Sequence, residues 1–246
     1  MNRVATTLLA VAAATCLAGC GSQSAHLGGP ASPSEPTVDT PKVGECRYLQ
    51  PADVTPVSNE TPVVDCQEPH TALTFYVGEY PPGSNGFDYP AQKCKDNLAE
   101  GLGVDAQTAS TSAFTVVFFA PTTKQQAAGA NWFRCDMVIG DSTRLTELPA
   151  GPGPYLGDGP VPDEFAQCLD AKGYVVTCAQ QHTYRKVGEF EVNGVETFPG
   201  RKGFLELAAK PCRRMTQTEN WWATWPAKSS WESGSRTMGC WTPDIG

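Results

Sequence analysis

The sequence predicts an α+β architecture laid down twice: two tandem small domains, each a small, mostly antiparallel sheet with about two helices, stapled by disulfides. Three observations lead there. Short runs of β-branched and aromatic residues bounded by turn residues read as strands. Segments opened by Pro and closed by Gly read as helices. Finally, matching spacings of Cys, His, Pro and Gly recur in the same order in both halves of Pro41 to Gly246.

The N-terminal end is read first. Met1-Asn2-Arg3 supplies a positive start, and Val4 to Leu17 is an uncharged run of apolar and small residues. The run is shorter than the about 20 residues that a bilayer span needs, and has the length of a signal-peptide core. It closes in Leu17-Ala18-Gly19-Cys20, which resembles the lipobox of bacterial lipoproteins. That resemblance implies a signal peptide over 1–19, cleavage after Gly19 and a diacylglyceryl group on Cys20. Each buried methylene contributes about 0.8 kcal/mol, so several acyl chains anchor a protein durably. Residues 20–40 then form a lipidated, flexible Gly/Ser/Pro-rich tether reaching roughly 60 Å at about 3.1 Å per residue. His26, within it, reads as solvated.

The folded elements follow in order. Leu73–Tyr80 reads as a strand. Pro90–Glu100 starts with Pro, sets Cys94 and Leu98 on one face and stops at Gly101, so it reads as a helix. Phe114–Ala120 is an apolar strand, Pro121–Ala128 a short helix ended by Gly129, and Trp132–Ile139 a returning strand. Pro149-Ala-Gly-Pro-Gly-Pro154 suits neither helix nor central strand, which places the border between 41–150 and 151–246 there. In the second half, Tyr184–Val192 reads as a strand, and Pro199–Met215 as a helix that should kink or end at Pro211. Pro226–Ser233 reads as another short helix.

The repeat itself is specific. Val63-Val64-Asp65-Cys66, His70, Val77-Gly78-Glu79-Tyr80, Tyr89-Pro90, Cys94, Pro121, Gly129 and Cys135 are answered in the same order. The answering set is Val175-Val176-Thr177-Cys178, His182, Val187-Gly188-Glu189-Phe190, Phe198-Pro199, Cys212, Pro226, Gly234 and Cys240. These residues, with Val43-Gly44-Glu45-Cys46 and Cys66-Gln-Glu-Pro-His70, resemble the bacterial septum-formation-related domain over roughly 41–140 and 161–242. The second copy departs from it at Phe165-Ala-Gln-Cys168 and Ala179-Gln-Gln181. The resemblance implies an exported or membrane-anchored protein associated with septum formation and carries over no catalytic residues.

Setting aside Cys16 and Cys20 leaves eight cysteines, four per copy. Duplication favours equivalent pairings within each copy: Cys46–Cys66 with Cys94–Cys135, and Cys168–Cys178 with Cys212–Cys240. The first pair in each copy flanks adjacent strand-like segments; the second joins a helix to a terminal strand. The competing reading is zinc held by Cys66, His70, Cys178 and His182, a tetrahedral donor set. It would leave Cys46 and Cys168 as free thiols in an oxidising space, so no metal and no cofactor is expected.

Composition narrows the function. Eighteen Lys+Arg against 26 Asp+Glu give a net charge of −8, unsuited to neutralising phosphates, so no nucleic-acid partner is expected. His70 with Glu79, or His182 with Glu189, could in principle serve as acid and base. The structural reading, in which each imidazole bonds a turn beside its disulfide, explains better why both positions are duplicated. No G-x-S-x-G, S-x-x-K or H-E-x-x-H pattern occurs, and no catalytic residue is assigned. The expectation is a non-catalytic binding module on the outer face of the cytoplasmic membrane. Its partners would be the membrane through the lipid anchor, and envelope or division proteins or cell-wall glycan. An envelope enzyme or glycan-processing accessory protein using Glu79 or Glu189, or a structural spacer, stands as the alternative. Neighbouring Trp221 and Trp222 occupy the places of Val116 and Val117 when Pro226 is matched to Pro121. Strand neighbours point to opposite faces, so the rings cannot share a core layer: either the strand is covered on both faces, as its Val-Val-Phe-Phe counterpart suggests, or one ring, Trp221 or Trp222, faces the other domain or a partner.

Overall fold

The computed structural model describes residues 39–84 and 86–244. The expected signal segment, the lipidation site Cys20 and all but the end of the tether lie outside the described residues. In chain order the first half holds β1 (Cys46–Arg47), a 3-10 turn (Pro51–Val54), β2 (Val63–Val64), β3 (Ala72–Glu79), α1 (Asp88–Leu102), α2 (Ala106–Ser110), β4 (Phe114–Phe119), α3 (Thr123–Ala127), β5 (Trp132–Gly140) and β6 (Leu145–Thr146). The second holds β7 (Gln167–Leu169), β8 (Val175–Thr177), β9 (Tyr184–Glu191), α4 (Gly200–Thr216), β10 (Trp222–Thr224), α5 (Lys228–Glu232) and β11 (Thr237–Pro243).

The two halves repeat one topology. The first sheet runs β2-β1-β3-β5-β4 with β6 added to β5, and the second runs β8-β7-β9-β11-β10. All neighbours are antiparallel. Four disulfides join Cys46–Cys66, Cys94–Cys135, Cys168–Cys178 and Cys212–Cys240, the pairing that duplication favours. In each half one bridge closes the short strand pair, and the other bolts the long helix to an interior strand next to the sheet's centre (α1 to β5, α4 to β11).

The first helix passes Gly101 and ends at Gly103, whose φ of +75° gives the left-handed cap. Gly101 is glycine for a different reason: a Cβ there would lie 2.7 Å from the Phe75 ring, so its absence lets α1 approach β3. The second long helix does not end at Pro211 but continues to Thr216. The missing N–H is tolerated where Phe204, Ala208 and Cys212 bury one face and the Cys212–Cys240 bridge clamps the final turns.

The border near residue 150 is not a break in packing. Leu148, Leu156 and Val161 are buried in the first core, which also takes in Ala166, Cys168 and Cys178. An isolated bridge between Ser112 and Ala166 stitches the halves together, and the described residues fall in one compact unit.

The registers of β3 and β9 do not follow the repeated motif. In β3, Phe75 is a bulged extra residue between Thr74 (opposite Asp136) and Tyr76 (opposite Cys135). In β9, Val187 takes the same place between Lys186 (opposite Trp241) and Gly188 (opposite Cys240). With Cys135 matched to Cys240, the equivalent of Glu79 is therefore Glu191, not Glu189. The repeated Val-Gly-Glu motif sits two residues out of step in space.

Candidate interaction site

Both conserved-spacing histidines serve the scaffold. His70 is fully buried; its Nδ1 donates to the Glu68 carbonyl (2.9 Å) and its Nε2 lies 3.0 Å from the Tyr155 hydroxyl. Burial pushes the Tyr155 phenol up to about 12, so it stays neutral, and it donates to the Gly151 carbonyl. His182 is also buried; its Nδ1 donates to the Gln180 carbonyl (2.7 Å), with Asp244 3.5 Å from Nε2. The Arg185 guanidinium, donating to Asp244, holds that carboxyl below its usual range. Each imidazole thus braces a turn beside a disulfide. Cys168, Cys178 and His182 do cluster, but both sulfurs are spent in a bond and offer no thiolate to zinc. Glu79 is exposed opposite Trp132, whereas Glu189 pairs with Lys186 Nζ (2.9 Å); neither sits beside its half's histidine along the strand.

The two sheets differ most on the face turned away from the long helices. In the first half, the 48–62 connection folds over this face. Leu49 joins Ala72, Phe119 and Val138 in a small cluster. Beside it runs a buried polar chain: Arg47 donates to Thr74 (2.8 Å), Thr74 to Asp136 (2.7 Å), and Arg134 to Asp136 (3.0 Å) and Asn59 (2.9 Å). Asp136 is wholly buried and Arg134 nearly so. Burial pulls the guanidinium of Arg134 downward, with Asp136 opposing. The sequence reasoning missed this network, although Arg134 and Asp136 two apart on an otherwise apolar strand were its signal.

The second half has only residues 170–174 between β7 and β8, and among the described residues no segment matching this cover. By register, Leu169, Lys186, Trp241 and Gly239 replace Arg47, Thr74, Asp136 and Arg134. Trp241 is buried and donates its Nε1–H to Thr224 (3.0 Å). Gly239 leaves room for it: a Cβ there would meet Trp241 Nε1 at 3.2 Å. Directly opposite Trp241 stands Trp222, 42% exposed, with the Tyr184 ring 6.0 Å away. Trp221 points the other way and packs on the second core. Of the two candidate rings, Trp222 is the accessible one.

A groove of about 1280 Å³ runs between the halves, and Lys186, opposite Trp241, links it to this face. Val175, Lys186 and Glu189 line it from the second sheet; Leu98, Thr115 and Arg144 line it from the first half. Tyr174, 68% exposed, also lines it. α2, which has no counterpart in the second half, packs against β9, and Gln107 reaches the Val187 carbonyl (3.4 Å).

Comparison with known proteins adds one result. The model of the family described as septum formation matches residues 78–240, a single stretch from β3 through β11 rather than one match per copy. The chain belongs to that family. Residues 41–77, with the opening phrase of the first copy, lie outside the match. No curated protein and no solved structure matches the chain.

Proposed function

We propose that this member of the septum-formation family is a binding module of the cell envelope, held by its lipid anchor and recruiting a septal or division partner through the second half. One observation carries the reading: the face that the first half covers with residues 48–62 has no matching cover among the described residues of the second, where Trp222 is 42% exposed beside half-buried Tyr184. Exposed Trp and Tyr supply large, stiff contact area and are enriched at binding hot spots. Catalysis has less to work with, since both histidines are buried and hydrogen-bonded to turn carbonyls. Anchoring is assigned to Cys20 on the lipobox-like Leu17-Ala18-Gly19-Cys20; among the described residues no helix is long and apolar enough to cross a membrane.

The test is site-specific photo-cross-linking in cells, with the cross-linker placed at Trp222, at Tyr174 and, as a control, at exposed Val63 of the first half. Discrete adducts from the first two positions and none from Val63 are expected. Adducts from none of them overturn the reading. Trp222→Ala should leave stability within about 0.5–1 kcal/mol, as for a partly exposed ring, while reducing partner capture. Cys20→Ala should release the protein from membranes or block its maturation. Fractionation with membranes at the normal mature size would sink the anchor.

A further inference from the structure

Among the described residues β8 is the outermost strand of the second sheet and pairs with β7 alone. Its hydrogen-bonding phase can be read from its ends. Cys178 N–H donates to the Ala166 carbonyl, and Asp170 N–H donates to the Tyr174 carbonyl. Antiparallel pairs alternate between bonded and non-bonded, so Cys168–Val176 falls in the bonded set. Val175 and Thr177 then turn their N–H groups, and Val175 its carbonyl, off the sheet. The Thr177 carbonyl is taken by Gln180 N–H. This leaves three main-chain groups in the i, i+2 arrangement that an added strand needs.

Sheet edges open to solvent are commonly blunted by Lys, Pro or an inward charge. β8 is short, three residues, but Gly173-Tyr174-Val175-Val176-Thr177 carries no Lys, Pro or inward charge; Tyr174 and Val175 are 68% and 57% exposed, while Thr177 is 7% exposed and reaches the surface at the groove. This edge also lines the inter-half groove, whose far wall carries Thr115 and Arg144. That wall argues for a single extended strand as occupant: a second copy of this chain would bring its own groove wall with its β8.

We infer that the free edge of β8 is a strand-addition site for an extended partner segment with β-branched or aromatic residues at alternate positions. The main-chain bonds to Val175 and Thr177 supply affinity, and cross-strand contacts with Val175 and Val176 supply preference. The inference rests on the binding reading above and names how the partner docks.

The probe is a synthetic heptapeptide, Thr-Val-Thr-Tyr-Thr-Val-Thr, acetylated and amidated, titrated into the full mature chain and followed by amide NMR. Slowed hydrogen exchange of the Val175 and Thr177 amides, by about tenfold or more at saturation, is expected. Val175→Pro removes one outward N–H while sparing the β7 pairing, because Pro is tolerated where an edge N–H faces away from the sheet. It should weaken binding about tenfold with an unchanged melting temperature. If that variant misfolds, the same question is put through the peptide: methylating its alternate backbone nitrogens on the bonding side should abolish binding, and methylating the other set should not. Absence of binding, binding that leaves both amides unprotected, or indifference to N-methylation overturns the inference. The broader reading then stands or falls separately, on the cross-links from Trp222 and Tyr174.

Discussion

Asp136→Ala should destabilise the protein by about 3–5 kcal/mol, the usual consequence of removing one partner from a buried ion pair. The carboxylate is fully buried and accepts from Thr74 Oγ1 and Arg134 Nε. Without it, two nearly buried guanidinium groups, Arg47 and Arg134, face each other with only half-buried Glu45 to balance them. Chemical denaturation should show the transition midpoint falling sharply. Asp136→Asn, which keeps an acceptor but not the charge, should fall between. A midpoint unchanged in the Ala variant would mean that the network contributes nothing to stability. The second half shows why the loss does not measure the worth of the pair: at the matching positions it uses Trp241, Gly239, Lys186 and Leu169. An arrangement without a buried carboxylate therefore fits the same sheet, its one charge, Lys186, being paired with partly exposed Glu189, and what destabilises the variant is an orphaned charge.

Much of the fold was legible because it rests on local chemistry. The strands over 72–79, 114–119 and 132–140 fall within a residue of the alternating and apolar runs that predict them. The disulfide pairing followed from duplication and from which element type each cysteine sits on. What was not legible depends on three-dimensional register. The Val-Gly-Glu motif suggested that Glu79 and Glu189 correspond, yet the bulges at Phe75 and Val187 show a shift of two. A sequence match optimises residue identity, whereas a sheet fixes hydrogen-bond phase, and a strand can slide by two without changing which face its side chains occupy. α2 was missed because five residues, Ala-Gln-Thr-Ala-Ser, carry too little pattern, and its Asp105 cap is the one local signal. The groove was invisible because its walls come from elements far apart in the chain, such as Thr115 and Val175, which only the packing of the two halves brings together.

Full reduction of the four disulfides should unfold the described unit, whereas a chelator should leave it unchanged. Loop-closure entropy assigns about 3–4 kcal/mol to each bridge. The closed loops span sequence separations from 10 for Cys168–Cys178 to 41 for Cys94–Cys135, so the helix-to-strand bridge of the first half should contribute most. A domain holds only about 5–15 kcal/mol in total, and losing several bridges exceeds what packing alone retains. The order of loss follows access, because exchange needs a thiolate to reach a sulfur. Seven of the eight cysteines are buried; Cys66 alone is partly exposed. Under native conditions a small thiol should therefore open Cys46–Cys66 first, as a single early species in differential alkylation followed by peptide mapping. The two helix-anchoring bridges should open only with global unfolding. Early alkylation of Cys212 or Cys240 would contradict this order, and would mean that α4 lifts from β11 while the rest of the unit stays folded.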